Sequence, residues 1–304
     1  MNEARRLANS INPVGVGRAV LALGSLSTLV LTRTDDLFIS FAPHAADSRC
    51  VGIGRAGGFC LSDALTGSRS VGVAASIAIL LLVLTGFGAR ALAIPHFYVA
   101  WSISQNIVVV EGGDQVNAVI VLLLIPWIFT TPRGNAWARR TRFLETLRMN
   151  AFAYGAAELI RVQLSVVYLV AAVAKFAVPQ WSEGSALWYW LQVPGFGIPE
   201  DVFTALAPIL ELPAILVTAT YAVMAFELLL AVCIWMRSKF ARSVLYLGIA
   251  FHAGIALVLG LWSFGLTMTG VLLLCLALQT ANVVFVEFQH ATPPIPAKME
   301  EFTV

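Results

Sequence analysis

The sequence is poor in charge. Of its 304 residues, 12% are Asp, Glu, Lys or Arg, about half the roughly 25% that soluble domains carry. With 59% hydrophobic residues and a mean hydropathy of +0.84, it reads as a polytopic membrane protein rather than a water-soluble domain. Basic clusters of the nucleic-acid-binding kind are missing too. The Lys and Arg residues behind a net charge of only +2 sit in short loops between apolar runs, which excludes nucleic acid as a partner. Nothing resembling a cleavage site follows the first apolar run, residues 14–31, so it reads as a retained span and not as a signal peptide. There are four cysteines. Cys233 and Cys275 fall inside apolar runs and read as core thiols.

What is present is a series of apolar runs. Eight spans are expected, near residues 14–31, 71–87, 91–110, 117–130, 151–178, 211–236, 244–264 and 265–285. The expected fold is therefore an all-α helical bundle of eight transmembrane helices. It occupies residues 1–290 and is followed by a disordered cytoplasmic tail at 291–304. The third run is unusually polar, with His96, Gln105 and Asn106. The stretch 111–114 reads as a tight acidic turn, and Pro126 is expected to bend the fourth helix near its exit. Between the fourth and fifth runs, residues 132–150 carry five arginines against one glutamate, with Trp137, Phe143, Leu144 and Leu147 interleaved. That pattern suits an interfacial amphipathic helix on an anionic cytoplasmic leaflet; a charged linker touching nothing is the alternative.

Charge bias orients the chain. Two basic residues precede the first run, one follows the second, five follow the fourth and three follow the sixth. The turns at the opposite ends carry acids. Both termini are therefore expected in the cytoplasm. The interval 33–70 is neutral, with four arginines and four aspartates, and falls outside. In that oxidising location Cys50 and Cys60 are close enough in sequence to form a disulfide; two free surface thiols are the alternative.

Residues 162–191 hold the most informative stretch. An apolar helix places Lys175 near its end, then a Trp-Ser-Glu-Gly turn follows at 181–184. A charged amine in hydrocarbon costs several kcal/mol unless shielded. Lys175 therefore either snorkels to the interface, with Trp181 as an aromatic anchor, or serves a buried site. Glu158 and Arg161 lie one turn apart and can pair on one face. Glu227 and His252 are further polar residues within apolar runs, and with Glu158 and Arg161 they are the candidate binding residues. No metal-ligand set and no cofactor are assigned.

The block YLVAAVAKFAVPQWSEGSALWYWL at 168–191 resembles the signature of the horizontally transferred transmembrane (HTTM) domain, a superfamily that includes the vitamin K-dependent gamma-carboxylases. EGGDQVNAVIVLLLIPWIF at 111–129, NPVGVGRAV at 12–20 and FHAGIALVLGLWSFGLTMTGVLLL at 251–274 resemble more specifically the sporulation-delaying protein B branch. The carboxylase resemblance implies a catalytic role for Lys175 as a base, with Trp181 and Glu183 in the matching turn. A lysine shielded from water can lose its proton and act in this way. Two departures count against carboxylation. Ala174 stands where that family has a first lysine, and one additional residue separates Lys175 from Trp181. The chain also has no room for the carboxylases' large extramembrane domain. The sporulation-delaying branch implies a bacterial plasma-membrane protein that works with a small partner protein to mature or export a secreted precursor peptide. A quinone-linked enzyme and a small-solute transporter are the alternatives. Transporters usually show repeated polar breaks in two halves, which this sequence lacks.

The charge bias makes a direct prediction. In intact cells lacking the native cysteines, a membrane-impermeant thiol reagent labels Asp47→Cys and spares Arg139→Cys. Labelling at position 139 would reverse the orientation.

Overall fold

Helices begin where the sequence supplies a start signal. Asn12 caps the first one, its side-chain oxygen accepting from the Val14 amide at 3.2 Å, and Pro13 occupies the first turn, where no amide partner is needed. The computed structural model describes residues 12–38, 50–108, 112–130, 136, 146–149, 151–280 and 282–285. In chain order the helices are α1 (Pro13–Leu31), α2 (Thr34–Leu37), α3 (Gly58–Thr66), α4 (Arg69–Thr85), α5 (Ala93–Asn106), α6 (Gly112–Thr130), α7 (Ala151–Lys175), α8 (Pro179–Ser182), α9 (Ala186–Trp190), α10 (Glu200–Leu210), α11 (Pro213–Cys233), α12 (Lys239–Leu259) and α13 (Trp262–Thr280). A 3-10 turn covers Gly52–Ala56, and two short strands, β1 (Thr146–Met149) and β2 (Asn282–Phe285), pair in parallel.

Among the described residues, six helices are long and apolar enough to cross a membrane: α1, α6, α7, α11, α12 and α13. The chain is an all-α polytopic membrane bundle. The second and third expected spans become α4 and α5, of 17 and 14 residues. At 1.5 Å per residue these reach about 26 and 21 Å, short of the roughly 30 Å hydrocarbon core. The polarity of α5 has a local cause. Asn106 donates to the Gly54 carbonyl at 2.9 Å, Tyr98 donates to the Ala56 carbonyl at 2.7 Å, and the Ser102 hydroxyl accepts from the Gly58 amide at 2.9 Å. The helix is a dock for the segment that Cys50 and Cys60 close with a disulfide. That segment is less of a simple loop than the sequence implies, because Phe59 is fully buried in a core with Leu37, Val73 and Ile103.

Two other local readings change. Residues 112–114 are not a turn but the first turn of α6, which runs on through Pro126. Within the arginine-rich stretch, Thr146–Met149 is a strand rather than part of a helix; its other residues, apart from position 136, lie outside those described, as does the tail from 286.

The bundle closes on small residues. α1 and α13 run antiparallel in close contact. A Cβ on Gly17 would meet Leu274 at 2.6 Å, and one on Gly24 would meet the Thr267 hydroxyl oxygen at 2.8 Å. Such close approach is how helices associate where no hydrophobic effect separates them from lipid. Polar cross-links then satisfy the buried groups. Arg18 donates to the carbonyls of Ala89 at 2.8 Å and Leu92 at 2.7 Å, and Asn117 donates to the Leu21 carbonyl at 3.0 Å and the Ser25 hydroxyl at 2.9 Å. Asp114 accepts from Thr28 at 3.3 Å and Ser263 at 3.1 Å, tying α1, α6 and α13 together at one end. Outward, α7 and α12 present exposed Val166, Leu169, Val173, Leu247 and Leu257, the surface that lipid requires.

A Cβ on Gly265 would stand 2.6 Å from the His252 carbonyl oxygen, whereas one on Gly254 would meet nothing within 4 Å. Gly265→Ala is therefore expected to lower thermal stability in detergent by about 1–3 kcal/mol, with Gly254→Ala neutral or slightly stabilising. Equal melting temperatures for the two variants would contradict this packing.

Candidate functional site

Lys175 is the last residue of α7, where the helix dipole favours a cation. Its ammonium donates to both carboxylate oxygens of Glu227 on α11 at 2.7 Å and to the Ala171 carbonyl at 3.2 Å. It also lies 5.0 Å from the centre of the Trp181 ring, within cation–π range. The two charged side chains are 18% and 12% exposed, so neither reaches freely into solvent. Lys175 thus directs its charge inward, onto a partner 52 residues away.

α11 also shapes the tryptophan turn. Tyr221 donates to the Ser182 carbonyl at 2.6 Å. Gly184 has φ +82°, and a Cβ there would press on Val217 at 3.0–3.2 Å. Only glycine accommodates both the left-handed backbone and that contact. Trp181 is consequently buried against Met224 and Ala186. Val217, Tyr221, Met224 and Glu227 recur at three- and four-residue spacing, so one face of α11 holds both the turn and the carboxylate.

A second polar pair stands nearby. Tyr168 on α7 and His252 on α12 share a hydrogen bond of 2.8 Å between the hydroxyl and Nε2, both side chains buried. The His252 ring meets the Phe264 ring edge-on, with centres 5.4 Å apart. Its Nδ1 is buried without a partner. Lys175, Trp181, Glu227 and His252 all line one cavity of about 440 Å³, whose remaining wall includes Trp190, Phe196, Phe251 and Phe264. The cavity lies at the end of the bundle where α7 and α12 finish and α6, α11 and α13 begin. A further cavity at the same end, about 350 Å³, is lined by Ser27, Thr28, Asp36, Asp114 and Ser263 and contains no basic side chain.

The residues singled out from sequence therefore separate. Lys175, Trp181, Glu227 and His252 converge on one cavity. Glu183 is exposed at the end of α8 and does not line it. Glu158 and Arg161 pair at 3.1 Å within α7, with Arg161 buried; they precede Lys175 by 17 and 14 residues, more than 20 Å along the helix. Tyr168 was not singled out, although its spacing of seven from Lys175 places both on one helix face. The aromatic wall of Trp190, Phe196, Phe251 and Phe264 has no such signal, since it is assembled from distant segments. Among the described residues, no group of three or more His, Cys, Asp or Glu side chains is placed to hold a metal ion.

The fold and cavity define the class: a polytopic α-helical membrane protein with a half-buried lysine–glutamate pair in an aromatic-walled cavity. The chain is 30% identical over 272 residues to sporulation-delaying protein SdpB of Bacillus subtilis (strain 168), covering 90% of this chain and 83% of that protein. It is 29% identical over 282 residues to uncharacterized protein YitO of the same strain, covering 90% of this chain and 88% of that one. The chain belongs to the SdpB-like family of membrane proteins. No family model matches it, and no solved structure does.

The ion pair makes a thermodynamic prediction. Removing one member leaves a largely buried charge unpaired, which costs about 3 kcal/mol, whereas removing both relieves that penalty. Lys175→Met and Glu227→Gln should each lower the melting temperature in detergent more than the double variant does. Additive losses would show that the two groups do not depend on each other.

Proposed function

We propose that this protein is the membrane component of a system that matures or exports a secreted peptide toxin, acting at the extracytoplasmic face of a bacterial plasma membrane. Family membership supports a role in a sporulation-delaying system, and the charge bias supports an orientation with the cavity end of the bundle outside. Its partners are the secreted precursor peptide and a small partner protein, with anionic lipids meeting the arginine-rich stretch at 132–150. The observation that carries the reading is the Lys175–Glu227 pair in the cavity wall.

The pair can do proton chemistry without changing net charge. When the Lys175 ammonium passes a proton to Glu227, a neutral amine and a neutral acid remain, and the amine can then take a proton from a bound substrate. Trp181 adds a cation–π contact to the ammonium, and Tyr168 holds the His252 ring. A quinone-linked reaction is the second reading, favoured by the aromatic wall, which suits a planar ring.

Lys175→Arg separates proton exchange from ion pairing, since arginine can still meet Glu227 but does not deprotonate in a useful range. At matched membrane abundance, toxin output from cells carrying Lys175→Arg is expected to fall about 100-fold. Output equal to wild type would remove Lys175 from the chemistry.

A further inference from the structure

Among the described residues, α10 leaves most of its apolar side uncovered. At 100° per residue, Val202, Phe203, Leu206, Ile209 and Leu210 share one face, while Glu200, Asp201, Thr204 and Glu211 share the other. None of its eleven residues is buried. Val202, Leu206 and Ile209 are 41%, 39% and 51% exposed. In water, such a face would be an unpaired apolar patch.

The position of the helix supplies its occupant. α10 ends at Leu210 and α11 begins at Pro213, and α11 is a 21-residue helix long and apolar enough to cross a membrane. Two residues cannot carry the chain far from the level at which that span enters the membrane. Near its start, the edge of the apolar face meets α9 through an edge-to-face contact between Phe203 and Trp188, ring centres 5.0 Å apart. Trp188, Tyr189 and Trp190 of α9 are the residue types that settle at headgroup level. We propose that α10 lies in the plane of the membrane interface, its apolar face in the lipid at the headgroup–acyl boundary and its acidic face toward water. Its partner is the lipid surface itself. With three acids and no basic residue between Glu200 and Glu211, its docking rests on apolar area, and neutral phosphatidylcholine suffices. The helix thereby holds Trp190 and Phe196, which line the cavity, at the level of the lipid.

The test places one environment-sensitive fluorophore at a time. Ile209→Cys and Thr204→Cys are made in a background lacking Cys233 and Cys275, keeping the Cys50–Cys60 disulfide. Each is labelled with a nitrobenzoxadiazole thiol reagent. Protein of wild-type elution profile is reconstituted in phosphatidylcholine nanodiscs, with and without bromine on the acyl chains. The label at 209 is expected to emit at shorter wavelength and lose at least half its intensity to brominated lipid, while that at 204 stays water-like and loses little. A water-like, unquenched label at 209 would overturn the proposal and leave the face to a protein partner. Equal quenching at both positions would also overturn it, because an in-plane helix cannot sink both faces.

Discussion

The ion pair between Lys175 and Glu227 is the constraint around which this end of the bundle is built. A lone ammonium or carboxylate in an apolar interior costs several kcal/mol, and only close, well-aligned partners offset that. The 2.7 Å contacts therefore require α7 and α11 to pack in one register. A further bond, from the Ser165 hydroxyl to the Ala231 carbonyl at 2.8 Å, fixes the same pair of helices further along. The tryptophan turn obeys the same demand, because it brings the Trp181 ring to 5.0 Å from the ammonium. What looks in sequence like a lysine near a membrane edge is in space a charge held from several directions.

Elsewhere the same rule acts on uncharged groups. A carbonyl freed by a turn between helices has no water to bond in the apolar interior, so side chains must come to it. Arg18 reaches from α1 to the carbonyls of Ala89 and Leu92, and Gln279 reaches from α13 to the Cys233 carbonyl at 2.8 Å. Both are buried polar residues in apolar helices, and both close the end of another helix or turn. Glycines at the α1–α13 contact let those two backbones approach closely.

How much of this was legible depends on whether the signal was local. Long apolar runs identify α1, α6, α7, α11, α12 and α13, because span length is set by bilayer thickness and composition reports it directly. The polarity of α5 was visible as well, but its meaning was not. Asn106 and Ser102 take their sense from Gly54 and Gly58, more than forty residues away. The turn expected at 111–114 gives way at 112–114 for a related reason: Asp114 reads as a turn residue until Thr28 and Ser263 are seen to bond it inside the first turn of a helix. At the site, Lys175, Trp181, Glu227 and His252 stood out one by one as polar or aromatic residues in apolar surroundings. That they share a cavity follows from the packing of α7, α11 and α12, which no spacing in the sequence encodes.

The arrangement explains why proton chemistry could be housed here at all. Water near a reacting centre levels acids and bases, whereas an apolar cavity lets a fixed pair exchange a proton without solvent reorganisation. Lys175 and Glu227 form such a pair, neutral overall in either protonation arrangement, so transfer between them leaves no net charge in the apolar wall. Tyr168 and His252 form a second hydrogen-bonded pair, built from α7 and α12, of which His252 lines the same cavity. α7 contributes one member to each pair, seven residues apart on a single face. A shift of that helix by one turn would break both pairs together, so the packing that stabilises the bundle also keeps the two in register.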